Sequence, residues 1–231
     1  KFGSPAVDYA TGTMGAFALA SALFQRERTG RGQRIDLAML DVAMILMGSH
    51  LTGYLRNGVE PKPSGNRHLH ATNSCYEAKE GLVMLGASNL RQQRRLWQAL
   101  ERPEMAKNDN EERESDRERE AAVLAETLKT RTADEWETFF QSRHVPAARV
   151  RTLAEAVRDP QFSTRGVTHH HSSAPGIEAG FDVPLAAFKF AHGGPSIETP
   201  PPEIGADTDK ILAEHGYSGG QIAAFRRSKV I

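Results

Sequence analysis

One acidic side chain near the start of the chain has the type and setting of a reactive group. Asp8 lies in the segment 5–12 (PAVDYATG), just ahead of a helix predicted over 11–28. A carboxylate at the edge of a helix can cap the helix, act as a general acid or base, or attack an electrophile as a nucleophile. These residues alone leave the three roles open and favour the cap.

Two further groups could do chemistry. Cys75, the only cysteine, can be a nucleophile, but its strand-like surroundings favour plain packing, and one cysteine cannot form an internal disulfide. The triplet His169, His170 and His171 suggests a metal site. Consecutive side chains of an extended segment point in alternating directions, so we expect a solvated edge or loop and no metal.

The elements that would position Asp8 alternate between helix and strand. The pattern predicts a helix over 11–28 that ends at Gly30, a short strand over 33–39 and a second helix over about 40–57. Such alternation indicates an α/β fold. Proline and glycine then break regular structure from 58 to 71.

The remaining chain has the pattern of a smaller α+β unit. Its predicted elements are strands over 74–78 and 82–87, helices over 89–100, 109–128 and from Thr132, a turn and strand over 144–150, and helices over 154–158, 208–214 and 219–227. Thr132 and Glu135 form a capping box at a helix start. The sequence therefore predicts the following division: 1–60 in a large domain, 61–72 as linker, 73–185 as a small α+β domain, and 186–231 as a return to the large domain.

The charge pattern excludes some classes of partner. The formal net charge is zero, which gives no general attraction to nucleic acid or to an anionic membrane. No apolar run approaches the roughly 20 residues that span a bilayer. The run 109–120 mixes both signs at helical spacing, which indicates a solvated helix face and not a basic arm for nucleic acid. We expect a cytoplasmic protein.

Taken together, these features resemble the family III CoA-transferases, which include formyl-CoA transferase, the CaiB/BaiF proteins and 2-methylacyl-CoA racemase. The resemblance spans nearly the entire chain. It depends most on Asp8-Tyr9, on TGRGQ at 29–33 and on IDLAMLD at 35–41. The supporting matches are GNR at 65–67, VPA at 145–147, DPQ at 159–161 and IGADTD at 204–209.

The resemblance implies a fold, a reaction and an assembly. The fold is α/β, with part of a Rossmann-like large domain and a smaller α+β domain, in a homodimer of interlocked chains. Asp8 aligns with the aspartate that attacks an acyl-CoA thioester and passes through an aspartyl anhydride and an aspartyl-CoA thioester. Acyl-CoA and carboxylic acids are then substrates, and no cofactor is bound permanently. Most CoA contacts of the family lie upstream of this aspartate, so we expect an N-terminally truncated chain.

The resemblance also implies residues that contact the substrate. The expected CoA and substrate contacts are Met39, Gly65, Asn66, Arg67 and His68. A methionine at a strand–helix corner is otherwise commonly a core residue, and His68 and His70 can serve an acceptor carboxylate or simply be loop residues. The run of glycines that formyl-CoA transferase carries at this place is missing, which argues against formyl or oxalate specificity.

Two other functions stay compatible with the sequence. In a 2-methylacyl-CoA racemase the aspartate is half of an acid/base pair, and its histidine partner lies upstream. A non-catalytic or truncated family member is the other alternative. The acyl donor and the acceptor stay open.

Overall fold

The computed structural model describes residues 3–231 and contains helices and two small antiparallel sheets. The helices are α1 (Ala6–Thr29), α2 (Met39–Leu46), α3 (Gly48–Asn57), α4 (Leu90–Ala99), α5 (Asn110–Ser115), α6 (Arg117–Leu128), α7 (Ala133–Gln141), α8 (Leu153–Ala156), α9 (Pro160–Arg165), α10 (Thr208–Glu214) and α11 (Gly219–Arg227). The strands are β1 (Cys75–Glu77), β2 (Leu82–Leu85), β3 (Ala147–Arg149), β4 (Thr168–His171) and β5 (Phe181–Pro184). A short 3-10 helix, Pro103–Met105, lies between α4 and α5.

Two predictions for the first part of the chain are wrong. Residues 31–38 are extended, but they form no strand, because no other strand lies beside them in the described chain. Met39 instead begins α2. The single helix predicted over 40–57 is divided at Met47, which ends α2 and precedes α3.

The hydrophobic core lies between the three-stranded sheet and helices α4, α6 and α7. β2 is the central strand and runs antiparallel to both neighbours, with Val83 opposite Tyr76 and Arg149. Apolar side chains of the sheet and the helices form this core. Its fully buried members are Ala71, Val83, Leu85, Ala87, Leu96, Trp97, Leu124, Leu128 and Phe140. Trp136 stacks on Phe140 with ring centroids 5.2 Å apart.

Helices α1 to α3 contribute little to this core. Val42 is the only buried side chain between residues 3 and 70. Large apolar side chains of α1 are exposed, among them Tyr9, Phe17 and Phe24. Contiguous apolar surface of this kind marks a contact surface on a folded protein.

The charged segment 109–120 is only partly the solvated face that its pattern predicted. It forms α5 and the start of α6, divided at Asp116, and it turns Arg113 and Glu120 fully into the interior. The two terminal nitrogens of the Arg113 guanidinium donate hydrogen bonds there, whereas Arg113 Nε and both Glu120 carboxylate oxygens have no hydrogen-bond partner within residues 3–231. The prediction for this run is therefore wrong at its two inward-facing members.

Burial controls the protonation of Glu120. It raises the pKa of the Glu120 carboxyl to about 7. The charges of Lys107 and Arg113 oppose that rise only in part, and the Trp97 indole N–H faces the carboxyl without meeting hydrogen-bond geometry. Asp116 adds a further increase through its own negative charge.

We predict that Glu120 makes the folded state less stable as pH rises. The pKa in the folded state, about 7, lies above the ordinary value of 4.5. The stability that the protonated group contributes is complete below pH 4.5 and is lost as pH rises through 7. Glu120→Gln, which cannot ionise, should raise the free energy of unfolding at pH 8 by roughly 1–3 kcal/mol and change it little at pH 5.

Urea unfolding at the two pH values measures this effect. Glu126→Gln is the matched control, because Glu126 is an exposed residue of the same helix. A difference between Glu120→Gln and wild type that is the same at both pH values would contradict the assignment.

Candidate functional site

Asp8 lies inside the first turn of α1, not ahead of the helix as predicted. The helix begins at Ala6 and Pro5 is its N-cap, with φ −76° and no side-chain capping bond. Proline suits this end of a helix because it fixes a helical φ and its missing N–H is not needed there. The interpretation of Asp8 as a helix cap is therefore wrong.

Two backbone N–H groups beside the Asp8 carboxylate have no acceptor within residues 3–231, those of Val7 and of Asp8 itself. The first hydrogen bond of the helix joins Tyr9 N–H to the carbonyl of Pro5 at 3.1 Å. Unpaired N–H groups and the helix dipole favour negative charge at this end. Donors fixed beside a reacting carboxylate can also stabilise an oxyanion that forms on it.

The Asp8 side chain has no structural task in the described residues. It is exposed and is absent from every ion pair of that part of the chain. Its neighbour Tyr9 is 71% exposed and belongs to the apolar surface of α1. A carboxylate in this state is available for acid/base or nucleophilic chemistry.

The extended segment after α1 returns along the helix. The Gln33 side chain donates from Nε2 to Gln25 Oε1 at 2.6 Å, near the carboxyl end of α1. Further on, Leu37 approaches Gly15 so closely that a Cβ atom on Gly15 would lie 3.2 Å from Leu37 Cδ2. Glycine at position 15 therefore permits the close contact between helix and segment.

This return brings Met39 toward Asp8. Two residues of extended chain beyond Leu37 cover about 7 Å, which equals about four to five residues along a helix. Met39 therefore follows Leu37 in the direction of the amino end of α1, which carries Asp8. Met39 is 48% exposed and is not a core residue of the described chain.

Gly65 and Asn66 form a turn that is fixed to the sheet. Arg67 N–H donates to the carbonyl of Ser64 at 2.8 Å, and Gly65 has φ +56°, a value that favours glycine. The Asn66 side chain donates to the Cys75 carbonyl at 2.7 Å and accepts from Cys75 N–H at 2.8 Å. Asn66 thus satisfies one backbone position on the open edge of β1 as a neighbouring strand would.

The start of α6 holds the next residues of the same loop. Arg117 donates from Nε to the His68 carbonyl at 2.7 Å. Glu118 accepts from Arg117 Nη1 at 3.0 Å and pairs with Arg67 at 2.5 Å. Side chains of α6 therefore contact both Arg67 and His68.

The two histidines of this loop face protein groups. His68 Nδ1 accepts from His70 N–H at 3.1 Å, and His68 Nε2 lies 3.2 Å from the side-chain amide of Asn73. Burial, followed by the charge of Arg113, lowers the pKa of His70. A neutral His70 brings no positive charge to an acceptor carboxylate, so this geometry favours its loop role.

The predicted site residues therefore form two groups in the described chain. Asp8 lies at the start of α1, and Met39 follows the segment that returns toward that end. The turn 65–68 contacts β1 and α6, and no hydrogen bond or ion pair of residues 3–231 joins it to the first group.

Sequence reasoning missed the residues that hold the linker to the small sheet. Arg113 donates to Thr72 Oγ1 and to the Ala87 carbonyl, each at 3.0 Å, and to the Ser88 carbonyl at 3.0 Å. The sequence did contain a signal that these side chains face inward. Arg113 and Glu120 lie seven residues apart, on the helix face that continues with buried Leu124.

The other candidate groups lie in strands, Cys75 in β1 and the histidine triplet in β4. Burial raises the pKa of the Cys75 thiol, which disfavours the nucleophilic thiolate. The histidine triplet alternates along β4 as predicted, but His171 is buried against Phe181, so the expected solvated edge is wrong for that member. Within residues 3–231, no group of His, Cys, Asp or Glu side chains is arranged to hold a metal ion.

Open grooves of the described chain lie away from Asp8. One of about 720 Å³ follows α7 and includes Lys79, Arg131 and Arg143. Another of about 400 Å³ lies at the carboxyl end of α1, beside Arg31. Among the described helices, none combines the length and apolar character that crossing a bilayer requires.

Comparison with known proteins defines the class to which this fold belongs. The model of CoA-transferase family III matches residues 1–208. A CaiB/BaiF family protein from Brucella suis superposes with a TM-score of 0.69 at 28% identity, over 93% of this chain and 56% of that structure. The predicted α/β family fold is thereby confirmed.

Named relatives include enzymes that act on CoA esters. The succinyl-CoA:mesaconate CoA-transferase of Haloarcula marismortui is 30% identical over 95% of this chain and 56% of the relative. The 2-methylfumaryl-CoA isomerase of Chloroflexus aurantiacus is 28% identical over 91% and 54%. This chain spans about half the length of the curated relatives it matches. The chain belongs to CoA-transferase family III.

We predict that Asn66 stabilises the edge of β1. Asn66→Ala removes two hydrogen bonds to Cys75 and should lower the free energy of unfolding by about 1–2 kcal/mol. Amide hydrogen exchange should accelerate selectively at Cys75. Asn108→Ala, a change at another exposed asparagine, is the control. Unchanged exchange at Cys75 would contradict this role.

Proposed function

We propose that this protein transfers CoA from an acyl-CoA thioester to a carboxylic acid, with Asp8 as the covalent acceptor. The observation that carries the proposal is the exposed Asp8 carboxylate at the start of α1, which forms no ion pair within residues 3–231 and lies beside two N–H groups without an acceptor in that range. Membership of CoA-transferase family III supports the same reaction.

The first half of the reaction moves CoA onto the enzyme. An Asp8 carboxylate oxygen attacks the thioester carbonyl, the carbon–sulfur bond breaks, and CoA leaves as a thiolate with a mixed anhydride on Asp8. The thiolate attacks the Asp8 carbonyl carbon. The donor acid leaves as a carboxylate and Asp8 becomes an aspartyl-CoA thioester.

The second half reverses these steps with the acceptor. The acceptor carboxylate attacks the aspartyl-CoA carbonyl and releases CoA thiolate, which leaves an anhydride between Asp8 and the acceptor. The thiolate then attacks the acceptor carbonyl and frees the Asp8 carboxylate. No net proton is taken up, so the site needs no general base.

The first turn of α1 suits this chemistry. Each attack on a carbonyl of Asp8 produces an oxyanion within reach of the amide donors of Val7 and Asp8. Water must be kept from the anhydride, because hydrolysis would lose the activated acyl group. The apolar surface around Tyr9 and Phe17 supports such exclusion when it is covered.

Met39 and the turn from Gly65 to His68 are the proposed contacts for CoA and substrate. Succinyl-CoA, the donor named for the Haloarcula relative, is the first donor to test, with a dicarboxylic acid as acceptor. The exposed apolar side chains of α1 to α3 also support the homodimer that the family resemblance implies.

Isomerisation of an acyl-CoA is the second candidate. The 28% identity to a 2-methylfumaryl-CoA isomerase favours it. Transfer of CoA from one acid to a different labelled acid selects the transferase, and rearrangement of one acyl-CoA without an acceptor selects the isomerase.

We predict that Asp8→Ala abolishes transfer. Removing the nucleophile should lower kcat by at least about 10³-fold. With donor alone, wild type treated with hydroxylamine should form an aspartyl hydroxamate at Asp8, detected by peptide mass spectrometry, and the variant should not.

Asp41→Ala is the matched control. Asp41 lies in the first turn of α2, where it has the same position in its helix as Asp8 has in α1. A variant at position 8 that turns over acyl-CoA at the wild-type rate would sink the proposal.

A further inference from the structure

The turn that carries Gly65, Asn66 and His68 is held by a charged network that the family comparison does not describe. Arg117 is the central residue. Its side chain is only 14% exposed, although it lies in a run of charged residues, and Nε donates to the His68 carbonyl at 2.7 Å. Hydrogen bonds from a guanidinium are among the stronger ones in proteins.

Glu118 completes the link on the outer side. Its carboxylate accepts from Arg117 Nη1 at 3.0 Å and contacts the Arg67 guanidinium at 2.5 Å. One carboxylate therefore orients Arg117 toward the loop and also holds the residue before His68. Exposed ion pairs alone contribute little, so the direct Arg117–His68 bond is the stronger element.

The far end of the same linker is fixed independently. Buried Arg113 binds Thr72 Oγ1 at 3.0 Å, and the Asn66 side chain binds Cys75 on the open edge of β1. Loop 65–72 is thus fixed at both ends, with the Arg117 contact between them. Loss of the Arg117 contact alone should release the middle of the loop and leave the fold intact.

We propose that Arg117 is a positioning residue that holds the loop 65–70 in the conformation that receives acyl-CoA. This inference rests on the proposed function, in which Gly65 to His68 contact the substrate. Arg117 acts through the His68 carbonyl and does not itself touch the reacting atoms.

Two substitutions test the contact with a readout that needs no activity. Arg117→Met keeps an aliphatic stem but removes the donor, and Arg117→Lys keeps a positive donor. Arg119→Met is the control, because Arg119 is 66% exposed on the same helix and, within residues 3–231, forms no hydrogen bond or ion pair with the loop. Native-state trypsin cleavage after Arg67, followed by fragment mass, reports opening of the loop.

The expected cleavage rates separate the variants. Arg117→Met should be cleaved after Arg67 about tenfold faster than wild type, Arg117→Lys should be close to wild type, and Arg119→Met should be unchanged. Equal rates for Arg117→Met and wild type overturn the anchor. Arg117→Met could instead be cleaved faster at all sites equally, with slower refolding or a lower Tm. That result overturns the anchor as well.

Kinetics then test what the anchored loop does. In the protein with transferase activity, Arg117→Met should raise KM for acyl-CoA about tenfold with kcat within about twofold, and Arg117→Lys should restore most of KM. Faster cleavage together with unchanged KM overturns the positioning role. A wild-type protein without transferase activity, but with the predicted cleavage pattern, overturns the proposed function and leaves the anchor standing.

Discussion

The buried guanidinium of Arg113 is the interaction on which the arrangement of the small unit depends. A charge removed from water is costly unless hydrogen bonds compensate it. Here the two terminal nitrogens of the guanidinium, Nη1 and Nη2, donate to Thr72 on the linker and to the carbonyls of Ala87 and Ser88 beyond β2. Burial lowers the pKa of Arg113, and nearby acidic groups oppose that effect, first among them Glu120. One side chain thus fixes the helix, the end of the central strand and the linker to each other.

The candidate carboxylate has the opposite environment. Asp8 is exposed and forms no ion pair in the described part of the chain, and its position in the first turn of α1 supplies donors without burying it. Arg113 and Glu120 lie in the interior, where one is hydrogen-bonded and the other depends on protonation. Structural charges and the candidate nucleophile are therefore in different parts of the chain. The linker that Arg113 and Arg117 hold connects these parts.

Local patterns in the sequence correctly predicted features that depend on short-range interactions, such as helix starts and helix bounds. The capping box of Thr132 and Glu135 marks the start of α7, and the terminal helices have the predicted bounds. The predicted strand over 33–39 failed because a strand requires a neighbouring strand, which short-range periodicity does not reveal. The prediction of a solvated face for the charge run failed at Arg113 and Glu120 for a related reason. The composition indicated exposure to solvent, but helix packing turned one face of the run inward. Asp8 was identified by its sequence motif, but its place within the first turn required the structure.

In the proposed mechanism, Asp8 gives one oxygen atom to the released donor acid and receives one from the acceptor in each turnover. Attack by an acceptor carboxylate labelled with ¹⁸O places a labelled oxygen between the acceptor and Asp8, and cleavage by CoA thiolate leaves that oxygen on Asp8. Trypsin releases the segment 2–26, in which Asp8 is the only acidic side chain. Mass spectrometry after turnover should find ¹⁸O in Asp8. Turnover of the labelled acceptor to its CoA thioester without label in this peptide would contradict the covalent mechanism.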